Sequence, residues 1–202
     1  MGSRKIGILG GTFDPVHNGH IKAAQAAYDK LKLDEVIFIP TGIPPHKLNR
    51  TVQETDKRIE MIMLAISQYE YFSVSDIEAE RAGYTYTVDT LRQMKDGDNK
   101  YDDLFFIIGA DVVCELNTWK QYKEVYKLCK FIALLRPGYD RNKFYEDVKT
   151  AESDGAEIIP VEAELIDISS STIRNMISKG ESVKEYIDEN VEDYIKERGL
   201  YL

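Results

Sequence analysis

Residues 6–20 read IGILGGTFDPVHNGH. Ile6, Ile8 and Leu9 form an apolar run that stops at Gly10-Gly11. A short polar turn through Thr12, Asp14 and Pro15 then leads into His17-Asn18-Gly19-His20, where helical spacing begins. A strand, a glycine turn and a helix start in this order aim backbone N–H groups and the positive end of a helix dipole at a phosphate. The glycines do not match the dinucleotide fingerprint G-x-G-x-x-G. Two imidazoles three residues apart take its place, and on a first helical turn His17 and His20 share a face. Imidazoles beside a phosphate donate hydrogen bonds to charge growing at phosphorus, or protonate a leaving oxygen. The chain's three histidines, His17, His20 and His46, all lie in its first 46 residues.

Beyond this stretch, strands and helices alternate to the end. Ile21, Ala24, Tyr28 and Leu31 recur at helical spacing, and the small Ala23, Ala26 and Ala27 let that helix sit close to a sheet. Glu35–Pro40 reads as a buried strand. The proline-stiffened loop Thr41–Lys47 follows it and brings His46 and Lys47 to the edge that holds His17 and His20. Residues 55–69 read as a helix with Ile59, Ile62, Met63 and Ile66 facing the core; Arg58 either reaches the site or is solvated. Tyr71–Ile77 reads as a third strand and leads to the aromatic, glycine-broken loop at residues 80–87, then a helix through Leu91 and Met94. Leu104–Ile108 is a fourth strand ending in Gly109-Ala-Asp111, where the carboxylate is placed to accept from ribose hydroxyls or to cap the next helix. A helix at Tyr122–Leu128 precedes a strand at Lys130–Leu135 that closes in Arg136-Pro137-Gly138. A helix over 141–153, a strand at Glu157–Val161 and a C-terminal helix ending at Gly199 follow.

Ile168-Ser-Ser-Ser-Thr-Ile-Arg174 is the second informative stretch. Its four consecutive hydroxyls read as an N-cap and first turn, with Ile173, Met176 and Ile177 as the buried face and Gly180 as the stop. Arg174, one turn in, makes this helix start a second phosphate cradle.

With 202 residues, 43% hydrophobic and 30% charged, the expectation is one soluble domain spanning 1–202. There is no membrane-length apolar run and no signal-peptide pattern. Cys114 and Cys129 match no metal or redox spacing and suit a reducing cytoplasm. The net charge of −9 excludes a general nucleic-acid binder. Residues 1–50 are nevertheless locally basic, with seven Lys/Arg against four Asp/Glu, as an anionic small molecule requires. Alternating strands and helices predict an α/β fold: a single doubly wound, mainly parallel sheet with right-handed crossovers.

GGTFDPVHNGH resembles the opening of the nucleotidyltransferases with a T/H-x-G-H motif, in particular the bacterial nicotinate mononucleotide adenylyltransferases. PPHK at 44–47, the loop from Arg81 to Thr90, the Gly109-Ala-Asp111 strand end followed by Trp119, and ISSSTIR at 168–174 continue the resemblance over nearly the whole chain. The last departs from the family's I-S-S-T-x-I-R at Ser171, where Thr is usual. A pantetheine-phosphate adenylyltransferase shares the opening but not PPHK or the Trp119 region. A nucleotide-binding regulatory module without turnover is the alternative from another class, against which the intact His17, His20, Lys47 and Arg174 speak.

The resemblance implies a Rossmann-like fold and transfer of AMP from ATP to nicotinate mononucleotide in NAD biosynthesis. It implies catalytic roles for His17, His20, Lys47 and Arg174. ATP would contact Gly10, Gly11, Thr12, Phe13, Gly109, Asp111, Ile168, Ser169, Ser170 and Ser171 besides the histidines and Arg174. The mononucleotide would contact Asp14, Lys47, Thr85, Tyr86, Thr87, Asp111, Arg136 and Trp119, the indole stacking on the pyridine ring. Mg²⁺ would enter on the nucleotide, since no carboxylate cluster in the sequence makes a protein cage. No nucleic acid or membrane partner is implied, and a homo-oligomer is compatible with the sequence.

Overall fold

Runs rich in Ile, Val, Leu and Phe that are too short for buried helices become strands when both faces can be covered. The computed structural model describes residues 3–42, 52–81, 83–96, 103–136 and 138–202, so the expected loop residues His46 and Lys47 lie outside the described residues. The strands are β1 (Lys5–Gly11), β2 (Glu35–Pro40), β3 (Phe72–Val74), β4 (Asp103–Gly109), β5 (Lys130–Leu135) and β6 (Ile158–Glu162). They form one sheet in the order β3-β2-β1-β4-β5-β6, and each neighbouring pair is parallel. The helices are α1 (Asn18–Leu31), α2 (Thr55–Ile66), α3 (Thr87–Asp96), α4 (Ala110–Val113), α5 (Tyr122–Leu128), α6 (Arg141–Ser153), α7 (Ser170–Ser178) and α8 (Glu189–Glu197).

Alternation along the strands divides the core into two layers. Leu9, Phe38, Phe105, Ile107 and Ile132 pack under α1, α2, α7 and α8. Ile6, Ile8, Ile37, Phe106, Ile108 and Phe131 pack under α3, α5 and α6 on the other face. Each fully buried Ile or Phe contributes about 1.5–3 kcal/mol relative to exposure. Asp140 and Asp188 cap α6 and α8 by accepting from the N–H groups of Asn142 and Asn190.

Three sequence expectations change here. The third strand is three residues long, not seven, because it is an edge with β2 as its one neighbour and the chain turns at Asp76, whose carbonyl accepts from Ala79 N–H at 2.7 Å. The helix expected over 55–69 ends at Ile66, where the Ser67 hydroxyl takes the Leu64 carbonyl at 2.9 Å. Met63 is 53% exposed, whereas Met61, Ile62 and Ala65 are buried. The apolar stripe of α2 runs through 58, 61, 62, 65 and 66, and its first member is an arginine.

Candidate active site

The chain winds from β1 out to β3 and then returns to β4, so β1 and β4 are adjacent strands from which it leaves in opposite directions. In a parallel sheet the C-terminal edge at such a switch point opens a crevice. A cavity of about 440 Å³ lies there, lined among others by Gly10 at the end of β1 and Gly109 at the end of β4. His17, His20, Asp111, Trp119, Arg136, Ile168, Ser169 and Ser170 also line it. The early histidine pair and the late serine turn therefore share one space. They are also bonded: Ser170 Oγ donates to the Pro15 carbonyl at 2.9 Å, and Arg174 Nη1 donates to the Asp14 carbonyl at 2.6 Å.

His17 holds the N-cap position of α1, and its ring stacks on that of His20 with centroids 3.6 Å apart. His20 Nδ1 accepts the His17 backbone N–H at 3.2 Å. A neutral His20 therefore carries its proton on Nε2. Phe13, buried beneath, meets the His20 ring edge-on at 4.9 Å. A Cβ at Gly19 would stand 2.9 Å from His17 Nδ1, so only glycine leaves that ring its place.

Burial pulls the His17 imidazole down to about 4, and burial together with the neighbouring His17 holds His20 well below the usual histidine range. At pH 7 the pair is two neutral N–H donors rather than two cations. Stability linked to His17 is complete above pH 6.5, where both folded and unfolded forms are neutral. It is lost as pH falls toward 4, because the unfolded chain takes the proton first. The loss over that window is about 3 kcal/mol. Denaturant unfolding at pH 7 and pH 4.5 should show His17→Gln losing less stability on acidification than the parent; equal losses would remove His17 as a source of acid sensitivity.

The far wall is the start of α7. Ser169 caps the helix by accepting from Thr172 N–H at 3.1 Å, and its hydroxyl also meets those of Ser171 and Thr172 at 2.8 Å. Across the mouth, Asp111 accepts from Arg136 Nη2 at 2.8 Å. Asp111 sits inside the first turn of α4, whose N-cap is Gly109, so it does not cap that helix. A Cβ on Gly109 would come within 2.5 Å of Asp111 Oδ1, which ties this glycine to the carboxylate's position. Trp119 is partly buried, edge-on to Phe106 at 5.6 Å and to Phe131 at 6.3 Å, and it lines the cavity together with Phe106.

The sequence model of the cytidylyltransferase-like family matches residues 8–176. A probable nicotinate-nucleotide adenylyltransferase of Thermoanaerobacter sp. (strain X514) is 42% identical over 198 residues, which cover 98% of this chain and 94% of the relative. Another, from Desulfitobacterium hafniense (strain DSM 10664 / DCB-2), is 42% identical over 202 residues, covering 98% of this chain and 96% of the relative. The chain belongs to the nicotinate-nucleotide adenylyltransferase family. Its fold is also that of a Plasmodium falciparum nicotinic acid mononucleotide adenylyltransferase complexed with NaAD, with a TM-score of 0.78 at 21% identity over 98% of this chain and 97% of that one.

Not every residue that the family resemblance singles out faces the cavity. Gly10, His17, His20, Gly109, Asp111, Trp119, Arg136, Ile168, Ser169 and Ser170 do. Arg174 lies behind Ser170 on α7, bonded to the histidine turn. Phe13 supports His20 from the core, and Thr12 and Gly11 lie in the turn beside it, their carbonyls accepting from Arg58 Nη1 and Thr41 N–H at 2.8 Å each. Ser171 is exposed, its hydroxyl turned to Ser169.

Asp14 is 4% exposed and its Oδ1 accepts from Tyr201 Oη at 2.7 Å, so the structure places its carboxylate inward and outside the cavity lining. Thr85, Tyr86 and Thr87 stand apart from this cavity. Thr85 is buried against Gly42, where a Cβ would come within 2.9 Å of its methyl, and the Tyr86 ring lies under Lys120 Nζ at 3.9 Å.

Arg58 is neither in the cavity nor solvated. It is 1% exposed and donates to the carbonyls of Gln53 at 2.9 Å, Thr12 at 2.8 Å and Thr41 at 2.8 Å, and to Thr55 Oγ1 at 2.8 Å. Burial lowers its affinity for the proton, while Asp14 and Tyr201 nearby favour the charged form. It thereby joins the turn after β1 to the chain leaving β2. A sequence signal existed, an arginine on the apolar stripe of α2, but Tyr201 carried none.

Proposed function

We propose that this chain transfers the adenylyl group of ATP to nicotinate mononucleotide, releasing pyrophosphate and forming deamido-NAD. The observation that carries the reading is the convergence of the His17–His20 helix start and the Ser169–Ser170 helix start on one cavity at the β1/β4 switch point. Two helix N-termini facing one space suit a polyphosphate. The mononucleotide phosphate oxygen attacks the α-phosphorus in line, and the bond from that phosphorus to the bridging oxygen of pyrophosphate breaks. No protein nucleophile takes part, so catalysis is positioning plus charge stabilisation.

His20, with its proton on Nε2, donates to oxygens of the reacting phosphate, and His17 stacked beside it does the same. Lys47 and Arg174 hold the β- and γ-phosphates, assisted by the N-terminus of α7. Gly10 and Gly109 let the nucleotide approach the strand ends. Asp111, oriented by Arg136, accepts from ribose hydroxyls. Trp119, which lines the cavity, stacks on the pyridine ring. Mg²⁺ arrives as part of the nucleotide substrate. Among the described residues no three ligand-type side chains cluster, and Asp111 and Asp14 are already engaged by Arg136 and Tyr201. Among these residues no helix is long and apolar enough to cross a membrane, and Cys114 and Cys129 are free thiols, which supports a cytoplasmic setting.

Pyrophosphate release from ATP, measured separately with the acid and amide mononucleotides and with phosphopantetheine, tests the reading. Turnover with the acid mononucleotide is expected, and release with none of the three would overturn it. Trp119→Ala should raise KM for the mononucleotide by roughly tenfold or more, the scale of losing an aromatic stack, with a smaller change for ATP. Equal losses for both substrates would mean that the indole acts through its packing on Phe106 and Phe131.

A further inference from the structure

The turn that carries the histidines into place hangs on side chains from distant helices. The carbonyls of Thr12, Asp14 and Pro15 are met by Arg58 of α2 and by Arg174 and Ser170 of α7, at 2.8, 2.6 and 2.9 Å. Near the middle of the turn the Asp14 carboxylate is buried, and a buried carboxylate must be met by donors or positive charge. Its shortest contact is Tyr201 Oη on Oδ1 at 2.7 Å. Gln53 N–H lies at 3.4 Å from the same oxygen, and Arg174 Nη1 lies 3.7 Å from Oδ2. Burial and the bond to Asp14 both raise the Tyr201 phenol, which keeps it a donor. Tyr201 lines no part of the cavity.

We propose that Tyr201, acting through Asp14, is a positioning residue that sets the turn and hence the His17–His20 pair for adenylyl transfer. Without the hydroxyl, Asp14 Oδ1 keeps only the long contact to Gln53. The carboxylate then turns toward Arg174 or Arg58, and either guanidinium is drawn off a carbonyl that it now holds. Pro15 follows Asp14 and is itself bonded to Ser170, so a shift there moves both the N-cap of α1 and the neighbouring wall. Small displacements of catalytic groups by remote changes are costly to rate.

This inference rests on the adenylyltransferase reading. The test is Tyr201→Phe, which removes one oxygen and keeps the ring. Steady-state kinetics should show kcat lower by about tenfold, with KM for ATP and for the mononucleotide each within about twofold of the parent, as for an interaction used only to hold the transition state. Side-chain ¹⁵N resonances of His17 and His20, recorded on the full chain without nucleotide, should move in the same variant. An unchanged kcat with a lower Tm, a loss confined to KM, or unmoved imidazole resonances would each overturn the proposal. Should the parent chain release no pyrophosphate, the adenylyltransferase reading fails by itself, and the imidazole resonances still decide whether Tyr201 positions the pair.

Discussion

His20→Ala is expected to lower kcat by roughly 10²–10⁴, the contribution of a positioned proton donor or oxyanion partner. Acceptance of the His17 N–H by Nδ1 at 3.2 Å assigns the proton of neutral His20 to Nε2, and Phe13 and His17 fix the ring from two sides. Alanine removes that donor together with the acceptor for the His17 N–H. The second loss resembles an N-cap deletion and costs about 1 kcal/mol of stability, too little to unfold the chain. Thermal unfolding beside pyrophosphate-release kinetics separates the two effects. A folded variant with a near-normal rate would take His20 out of the mechanism.

Arg174→Ala should lower kcat/KM for ATP by roughly 10²–10³, the range for losing one charged donor to a developing anion. KM for the mononucleotide should move far less. One of the five guanidinium donors is committed to the Asp14 carbonyl, which leaves the others for a phosphate bound at the start of α7. Lysine carries the charge but not the planar fork, and Arg174→Lys should recover little of the loss. If ATP kinetics stay unchanged in Arg174→Ala, the residue is a brace for the histidine turn and nothing more. A full recovery by lysine would mean that charge alone matters there.

Much of this molecule is set by short-range pattern. The apolar runs at residues 6–9, 36–39, 104–108 and 130–135 read as buried strands, and the helical spacing between them points to a wound parallel sheet, which is what forms. Gly10-Gly11 followed by His17 and His20, and the hydroxyl run before Ile173, marked both phosphate-facing helix starts, because capping and turn chemistry act within a few residues. Charge could be read the same way, since the basic residues of the first 50 are a matter of composition. What escaped were decisions made between distant residues. The family resemblance makes Asp14 a substrate contact, and no local pattern shows that its carboxylate meets a partner 187 positions away. Arg58 was ambiguous for a related reason: whether an arginine on an apolar stripe is solvated or buried depends on carbonyls at Thr12 and Thr41, contributed by two other loops. The tautomer of His20 needed a backbone N–H to be aimed at its ring. Local periodicity and turn chemistry specify elements and their order; burial of charge and the direction of a single hydrogen bond follow from contacts that exist only once the chain has closed on itself.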